Sequence, residues 1–322
     1  MTAVRHESGP DAGAVWHYGD PLREQRLLAR GEASVDVSHR PVFSVAGPDR
    51  LSWLNSITSQ KLDDLPAGHW FTSYILDPNG RIGHVFGGVD DGSTLWVSTE
   101  PGRLPALLAW LGRMQFAARV EIAERSDSHA MLITPEGPGI VAREDLGAAL
   151  GEQRAGTWAA DALRIEAGLP RVFVDTDDKT IPNELANPAG LALGPAVHLR
   201  KGCYPGQETV ARVYNLGRPP RRLTRLHLDG SAEALPAVGS EIVVDGRSVG
   251  RVGSSARHHE LGPIALALIK RSVPADLPLV VDGIDAAQEL IVDPEVGLHV
   301  RPGVVRSGGA RVQPPQSGAL QV

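Results

Sequence analysis

Residues 201–208 read Lys-Gly-Cys-Tyr-Pro-Gly-Gln-Glu, and this octapeptide contains the only cysteine among the 322 residues of the chain. Pro205 and Gly206 suit the two central positions of a type II turn. Proline presets the first φ angle, and glycine accepts the positive φ angle that the second position requires. The octapeptide therefore predicts a tight turn that displays Cys203.

Two cations lie next to this cysteine in the sequence. Lys201 and Arg200 would favour the thiolate form of Cys203 if their charges face its sulfur, because the pKa of a thiol falls beside positive charge. The alternative is that Cys203 is a small apolar residue that falls in a turn by chance, as short motifs often do.

Composition limits the classes of protein that remain. The chain is 42% hydrophobic and 22% charged, which is typical of an ordinary globular protein with two or three domains. A single cysteine excludes a disulfide framework and favours a reducing, cytoplasmic setting. The net charge of −6 makes direct nucleic-acid binding through overall charge unlikely. No signal sequence or membrane-spanning apolar run is evident.

The pattern along the chain predicts an α+β protein with a separate C-terminal β-module. Residues 1–30 are interpreted as a partly flexible leader. Residues 31–218 alternate strands with a few helices and include a strong hairpin-turn signal at 77–80. Short, regularly spaced strands over 219–300 predict a small antiparallel β-barrel. Residues 301–322 are rich in Gly, Pro, Ser and Gln and predict a disordered tail.

Glu166 lies at the end of a predicted helix over 158–167, which Gly168 terminates. A carboxylate there meets the negative pole of the helix dipole, so it is either solvated or bound to a ligand that needs an acceptor. A heterocycle with an amino group and a neighbouring ring N–H would suit it, since one carboxylate accepts both hydrogen bonds. A solvated surface glutamate is the commoner alternative.

Two further groups of residues have weaker signals. Arginines follow a proline pair near 219 and could bind phosphates or ligand carboxylates, although a solvated linker is more common; they are Arg218, Arg221, Arg222 and Arg225. His258 and His259 resemble half of a metal site, but adjacent residues on a strand point to opposite faces. The sequence therefore predicts no metal site.

Taken together, these motifs resemble those of a known family. The octapeptide resembles the signature of the YgfZ family, which are folate-binding proteins related to the glycine cleavage T-protein, an aminomethyltransferase. The similarity extends over about 30 to 300 in the expected order. Further similar blocks are Asp-Val-Ser-His-Arg at 36–40, Val-Ala-Gly-Pro-Asp-Arg at 45–50, Leu-Asn-Ser-Ile-Thr-Ser-Gln at 54–60, Leu-Asp-Pro-Asn-Gly-Arg-Ile at 76–82, Arg-x-Glu-x-Gly-x-Pro at 164–170 and Ile-Pro-x-Glu at 181–184.

The resemblance implies a ring-like arrangement of three modules around a central pocket for tetrahydrofolate or a derivative. Residues 31–218 would form two interwoven α+β modules of the aminomethyltransferase type. The pterin would bind the carboxylate that matches Glu166, with Tyr204 also at the cofactor. The glutamyl tail would extend toward basic residues such as Arg200, Arg212 or an arginine of the 218–225 group.

One departure from the transferases bears on catalysis. Their paired aspartates after the hairpin turn fall on His84 and Val85, and their tyrosine before the turn falls on Thr72. Valine cannot transfer a proton or stabilise a developing cation. Whether the chain is an enzyme is therefore left open by its sequence.

Family membership implies a folate-binding accessory protein that supports iron–sulfur cluster assembly or repair and, indirectly, tRNA modification. Its expected partners are a reduced folate and iron–sulfur client proteins. Cys203 would be the reactive thiolate, Lys201 would lower its pKa, and Glu208 would position or shuttle a proton. Two alternatives remain open. One is a tetrahydrofolate-dependent aminomethyltransferase or demethylase with His84 as the base, and the other is a tRNA-binding module that uses the arginine group.

Overall fold

The computed structural model describes residues 2–185, 196–231 and 233–295. In chain order the strands are β1 (Val4–Arg5), β2 (Val15–His17), β3 (Ser34–Asp36), β4 (Val42–Ala46), β5 (Trp70–Leu76), β6 (Ile82–Asp90), β7 (Thr94–Thr99), β8 (Glu121–Glu124), β9 (His129–Thr134), β10 (Gly137–Ala142), β11 (Arg154–Ala155), β12 (Arg221–Leu228), β13 (Glu241–Val244), β14 (Arg247–His258), β15 (Gly262–Lys270), β16 (Leu279–Val281) and β17 (Ile284–Leu290). The helices are α1 (Pro21–Ala29), α2 (Arg50–Ile57), α3 (Leu104–Arg113), α4 (Leu146–Leu150), α5 (Thr157–Glu166), a 3₁₀ turn at Pro182–Glu184, and α6 (Gln207–Leu216).

A five-stranded antiparallel sheet in the order β5-β6-β7-β4-β8 forms the first part of the fold. The predicted turn at 77–80 joins β5 to β6, with Gly80 at a φ angle of 77°. Helices α2 and α3 cover one face of the sheet. Phe43 and Phe86 from the sheet pack there with Leu54 and Leu107 from the helices. Burial of these side chains fixes the sheet, so its opposite face is available to form a site.

A four-stranded sheet in the order β10-β9-β3-β11 lies beside the first one. Its small apolar core includes Val35, Met131 and Ala159, and Leu27 of α1 packs against it. Helix α5 therefore runs between this sheet and the C-terminal module, because Ile165 of the same helix belongs to a different apolar cluster with Leu266 of β15.

The C-terminal strands close into a six-stranded antiparallel barrel, in the order β12-β15-β14-β13-β16-β17. The predicted α+β class with a C-terminal β-barrel is thereby confirmed. The barrel strands run from Arg221 to Leu290, and the proposed boundary at 219 remains a prediction. The interpretation of 301–322 as a disordered tail lies outside the described residues. In the described part of the chain, every helix is too short or too polar to cross a membrane.

The N-terminal segment, expected as a partly flexible leader, contacts the rest of the protein at several points. Val15 is buried, and Trp16 stacks on Trp158 of α5 with 4.6 Å between ring centroids. Asp11 is only 6% exposed, and its carboxylate accepts two hydrogen bonds from Arg171 at 2.6 and 2.9 Å. A buried arginine needs such a partner, so the leader is part of the packed structure.

We expect Asp11→Ala to destabilise the protein by about 3 kcal/mol at neutral pH, because Arg171 would lose one of its two buried carboxylates. Burial alone would raise the pKa of Asp11, but hydrogen bonds from His39 and Arg171 outweigh it and hold the pKa far below its ordinary value of 3.8. The stabilisation is therefore complete above that value and is lost as the pH falls below it.

Urea denaturation at neutral pH and at about pH 3 measures this effect. The difference between wild type and Asp11→Ala should be smaller at the acidic pH, and the exposed Glu7→Ala serves as the control. Equal stability of wild type and Asp11→Ala at neutral pH would mean that the leader is not held by this ion pair.

Candidate functional site

A cavity of about 290 Å³ lies between the two sheets and the segment that follows α5. We call it the inter-sheet cavity. Its wall includes Thr72 and Tyr74 of β5, Val85 of β6, and Arg40 and Arg171. The wall therefore combines aromatic and apolar surface with buried cations, which is typical of a small-molecule site.

The charges in this wall are paired with one another. Arg171 donates to Glu100 through Nη2 at 2.7 Å as well as to Asp11, and Arg40 lies 3.3 Å from Glu100. Burial alone would raise the pKa of Glu100, but Arg40 and Arg171 outweigh it and lower the pKa below its ordinary value. Glu100 is therefore an ionised carboxylate whose oxygens are already committed to arginines.

A second cavity of about 250 Å³ shares Arg40, Arg164 and Arg171 with the first. Arg164 donates to Asp161 at 3.0 Å and to the fully buried Asp175 at 2.7 Å. These contacts hold the end of α5 against the segment that follows it. The second cavity thus has a rigid polar wall whose positive charges are neutralised from within the chain.

The resemblance places His84 and Val85 at the paired aspartate positions of the transferases. Their side chains point to opposite faces of β6, because the side chains of neighbouring strand residues alternate between the two faces. Val85 lines the inter-sheet cavity, whereas His84 lies near Trp110 of α3, with 6.4 Å between ring centroids. Desolvation and the nearby Arg103 lower the pKa of His84. Among the described residues that line the cavity, His84 is absent, so it is not placed to act as a base there.

The predicted turn in the octapeptide is confirmed. The amide of Gln207 donates to the Tyr204 carbonyl oxygen at 3.3 Å, and Gly206 has a φ angle of 78°. A Cβ atom on Gly206 would lie only 2.5 Å from the carbonyl oxygen of Asp77. The octapeptide turn therefore packs directly on the β5–β6 turn, and glycine is required at this position.

The Lys201 ammonium group binds backbone carbonyl oxygens. Its Nζ donates to the carbonyl oxygens of Asn55 and Thr58, and to that of Gln60 at 3.1 Å. It therefore caps the C-terminal end of α2, where a cation is favourable. Desolvation lowers the pKa of Lys201 to about 8. In the described part of the chain, no hydrogen bond joins Lys201 to Cys203.

Tyr204 lies under this lysine. The Lys201 Nζ is 5.0 Å from the centroid of the Tyr204 ring, and burial raises the pKa of the Tyr204 hydroxyl to about 12. The tyrosine also packs against the apolar cluster that contains Tyr74 and Leu76. Its ring is therefore a structural neighbour of the β5 strand, and a contact with a cofactor stays a prediction.

The other predicted residues of this region are at the surface. Cys203 is an exposed free thiol, and Arg200 is exposed as well. Glu208 pairs with Arg212 one helical turn later at 3.0 Å, and the two side chains are 87% and 66% exposed. Among the described residues, no hydrogen bond or ion pair joins Cys203, Lys201 and Glu208 to one another. Their roles remain predictions.

Glu166 ends helix α5 with a carboxylate that is 43% exposed. Its backbone carbonyl oxygen accepts a hydrogen bond from Arg225, and its Oε2 lies 3.2 Å from Nε2 of His258 in the barrel. Among the described residues around the inter-sheet cavity Glu166 is absent, because it points toward the barrel. Binding of a pterin by Glu166 is untested by this geometry.

The arginine group near residue 220 is engaged within the protein. Arg221 donates to Asp177 at 2.6 Å and to the buried Glu184 at 2.8 Å, and these bonds attach the barrel to the irregular segment before it. Arg222 is buried and donates to the carbonyl oxygen of Val273 at 3.0 Å. Arg225 pairs with Glu289, and Arg218 lies 3.5 Å from Glu295. The group is therefore not a free basic patch.

Comparison of structures identifies the fold class. The solved structure of the glycine cleavage system aminomethyltransferase T from Bartonella henselae matches with a TM-score of 0.72. The match covers 91% of this chain and 94% of that chain, at 18% sequence identity. The chain therefore has the aminomethyltransferase T fold.

Sequence comparison then finds relatives with more specific names, although no protein-family model matches the chain. The tRNA-modifying protein YgfZ of Edwardsiella ictaluri is 34% identical over 41% of this chain and 39% of its own length. A mitochondrial iron–sulfur cluster assembly factor homologue of Mycosarcoma maydis is 26% identical over 59% of this chain and 56% of its own length.

A chloroplastic protein of Arabidopsis thaliana, named a transferase only provisionally, is 24% identical over 75% of this chain and 66% of its own length. The chain thus spans about two thirds or less of the length of each of these relatives. The predicted resemblance to the YgfZ family is confirmed by these sequence matches, and the predicted similarity to the glycine cleavage T-protein is confirmed at the level of the fold.

The position of Lys201 leads to a prediction that separates its two possible roles. We expect Lys201→Met to lower the free energy of unfolding by roughly 1–3 kcal/mol, because three carbonyl oxygens lose a charged donor. The reaction rate of Cys203 with a disulfide reagent should stay unchanged. Urea denaturation and thiol titration measure the two effects, with the exposed Lys179→Met as control. A large fall in thiol reactivity without loss of stability would support the activator role instead.

Proposed function

We propose that this chain is a folate-binding accessory protein that supports iron–sulfur cluster assembly or repair and, indirectly, tRNA modification. The observation that carries the proposal is the wall of the inter-sheet cavity. The aminomethyltransferase T fold is kept over nearly the whole chain, and the cavity wall contains Val85, which the sequence resemblance places at a carboxylate position of the transferases. A ligand site kept without its proton-transfer group favours binding over turnover. The names of the YgfZ and iron–sulfur assembly relatives also support the proposed accessory role.

The residues present suit a reduced folate as the cofactor. A pterin has flat apolar faces and one edge with two adjacent hydrogen-bond donors, and Trp70 and Tyr74 offer aromatic surface in the cavity wall. The buried Nε of Arg40 has no hydrogen-bond partner among the described residues. A buried donor without a partner is unfavourable, so a ligand acceptor would stabilise it. Tetrahydrofolate, when bound, would supply a carrier for one-carbon groups.

Glu166 is the proposed acceptor for the pterin edge. It lies beyond the inter-sheet cavity, whose wall includes the nearby Arg164 and Leu169, so a bound folate would extend past the cavity to the end of α5. The Glu166 carboxylate is half-exposed, and no arginine side chain pairs with its oxygens among the described residues. Glu100, by contrast, is nearer to the inter-sheet cavity but is held by Arg40 and Arg171. A carboxylate must have free lone pairs to accept two further donors, so Glu166 suits the role better than Glu100.

The exposed cations near the octapeptide are proposed contacts for the glutamyl tail of the folate. Arg200 is exposed, and Arg212 is engaged only by the solvent-exposed Glu208 among the described residues. Surface ion pairs of this kind are weak, so a ligand carboxylate would compete easily for Arg212. Tyr204 would lie between these cations and the buried core.

Cys203 is proposed as the point of contact with iron–sulfur client proteins. Its thiol is exposed on a turn that is rigidly packed on the β5–β6 turn. An exposed, fixed thiol is accessible to a partner's cluster or sulfur, and Glu208 could take up or release a proton at the same surface. A cytoplasmic location is part of this proposal.

The transferase or demethylase alternative is favoured by the fold alone. It requires a base in the inter-sheet cavity, and His84 faces Trp110 of α3 instead.

The tRNA-binding alternative requires free arginines, whereas Arg221, Arg222 and Arg225 all donate to groups within the protein. The accessory role therefore accounts for more of the site.

Titration with 5-formyltetrahydrofolate by calorimetry tests the proposal. We expect wild type to bind, and Glu166→Ala to bind about tenfold or more weakly, because two hydrogen bonds to a carboxylate are lost. Glu152→Ala, which removes another exposed glutamate, serves as the control. Absence of binding by wild type contradicts the folate proposal, and equal binding by Glu166→Ala contradicts the assigned acceptor.

A further inference from the structure

We propose that His258 is a positioning residue that orients the Glu166 carboxylate through a neutral Nε2–H donor. The inference rests on the proposed function in one respect, namely that Glu166 binds the ligand. It assigns to the C-terminal barrel a direct part in shaping the ligand site. The two residues meet where the end of α5 packs on β14.

The tautomer of His258 is determined by the backbone that follows it. Its Nδ1 accepts hydrogen bonds from the amides of Glu260 and Leu261, each at 3.1 Å. A ring nitrogen that accepts two N–H groups cannot itself carry a proton. The proton of the neutral ring is therefore on Nε2, which makes this atom a donor.

The Nε2–H group is buried and lies close to the Glu166 carboxylate. The His258 side chain is 0% exposed, and Nε2 lies 3.2 Å from Oε2 of Glu166. The angle of this contact falls outside hydrogen-bond geometry, and Nε2 has no other partner among the described residues. A buried donor left unpaired is unfavourable. The Glu166 side chain is 43% exposed, which leaves room for the small rotation that would complete the bond.

The backbone of Glu166 is anchored to the barrel as well. Arg225 of β12 donates to the Glu166 carbonyl oxygen, and Arg225 is itself held by Glu289 of β17. His227 Nε2 donates to the same Glu289 carboxylate at 2.6 Å, which restricts the Glu289 side chain further. The main chain of Glu166 is thus fixed by a barrel strand, and its carboxylate lies within reach of His258.

This arrangement leaves the second oxygen of Glu166 open to a ligand. A carboxylate has two oxygens and about four acceptor directions, so one bond from His258 does not exhaust it. Fixing the carboxylate in advance removes side-chain freedom that a ligand would otherwise have to restrict on binding. The geometry therefore points to a folate acceptor that is supplied by α5 and oriented by β14.

Two substitutions separate the donor of His258 from its structural role. In His258→Asn the side-chain oxygen can replace Nδ1 as acceptor for the following amides, but no donor reaches the Nε2 position. In His258→Gln the side-chain amide can place a donor near the Nε2 position. We expect affinity for 5-formyltetrahydrofolate to fall about tenfold in His258→Asn and to stay within about threefold of wild type in His258→Gln.

A second set of measurements excludes a merely structural effect. In the Glu166→Ala background, neither His258 variant should change the affinity further, because the coupled partner is gone. Thermal unfolding of each variant controls for folding. Equal losses of affinity in His258→Asn and His258→Gln, or an unchanged affinity in His258→Asn, would overturn the inference.

Nitrogen-15 NMR of the histidine rings tests the contact without any folate. We expect the Nε2-protonated tautomer at His258, and a shift of its Nε2 resonance in Glu166→Ala. An Nδ1-protonated ring would overturn the inference. If wild type binds no folate, the proposed function fails, but the tautomer and its response to Glu166→Ala still decide whether His258 holds the carboxylate.

Discussion

The buried guanidinium of Arg171 is the contact on which the arrangement of the modules depends. It binds Asp11 from the N-terminal segment and Glu100 from the end of β7, and those partners are separated from it by 160 and 71 residues. A buried charge without partners is strongly destabilising, so each of these segments must be in place for the others to be stable. The same cluster forms the polar wall of the inter-sheet cavity. Stability and the shape of the site therefore arise from one set of contacts.

A similar principle joins the barrel to the rest of the chain. Arg221 at the start of β12 is held by Asp177 and Glu184, and Arg225 reaches back to the end of α5. The sequence suggested these arginines as ligands for phosphates or carboxylates, but in the structure they connect the modules. Buried ion pairs fix geometry more than they add stability, and a site between modules needs fixed geometry.

The chemistry of the site is defined by which carboxylates are free. The fold is that of aminomethyltransferase T, but Val85 removes a proton-transfer group from the cavity wall and His84 is turned away. Glu100 is ionised and saturated by arginines, whereas Glu166 has an open face. This arrangement is the basis of the proposal that the protein holds a folate and presents a surface thiol at Cys203.

Local patterns in the sequence predicted the local structure well. The hairpin turn at 77–80, the type II turn around Gly206, helix α5 and the antiparallel barrel all follow from turn chemistry and periodicity. Helix α6 was not predicted, although Gly206 at its N-terminal boundary and Gly217 after its last residue mark its ends.

Long-range contacts could not be predicted in the same way. Nothing in the spacing of Asp11, Glu100 and Arg171 indicates that they meet, because the pairing depends on how the modules pack. For the same reason the sequence did not indicate that Lys201 binds the carbonyl oxygens around the end of α2.

A crystal structure of the protein with 5-formyltetrahydrofolate tests the central claim most directly. The account predicts that the amino group and ring N–H of the pterin bind the carboxylate of Glu166, with His258 behind it. A pterin bound to other groups, with Glu166 facing solvent, would contradict this account of the site.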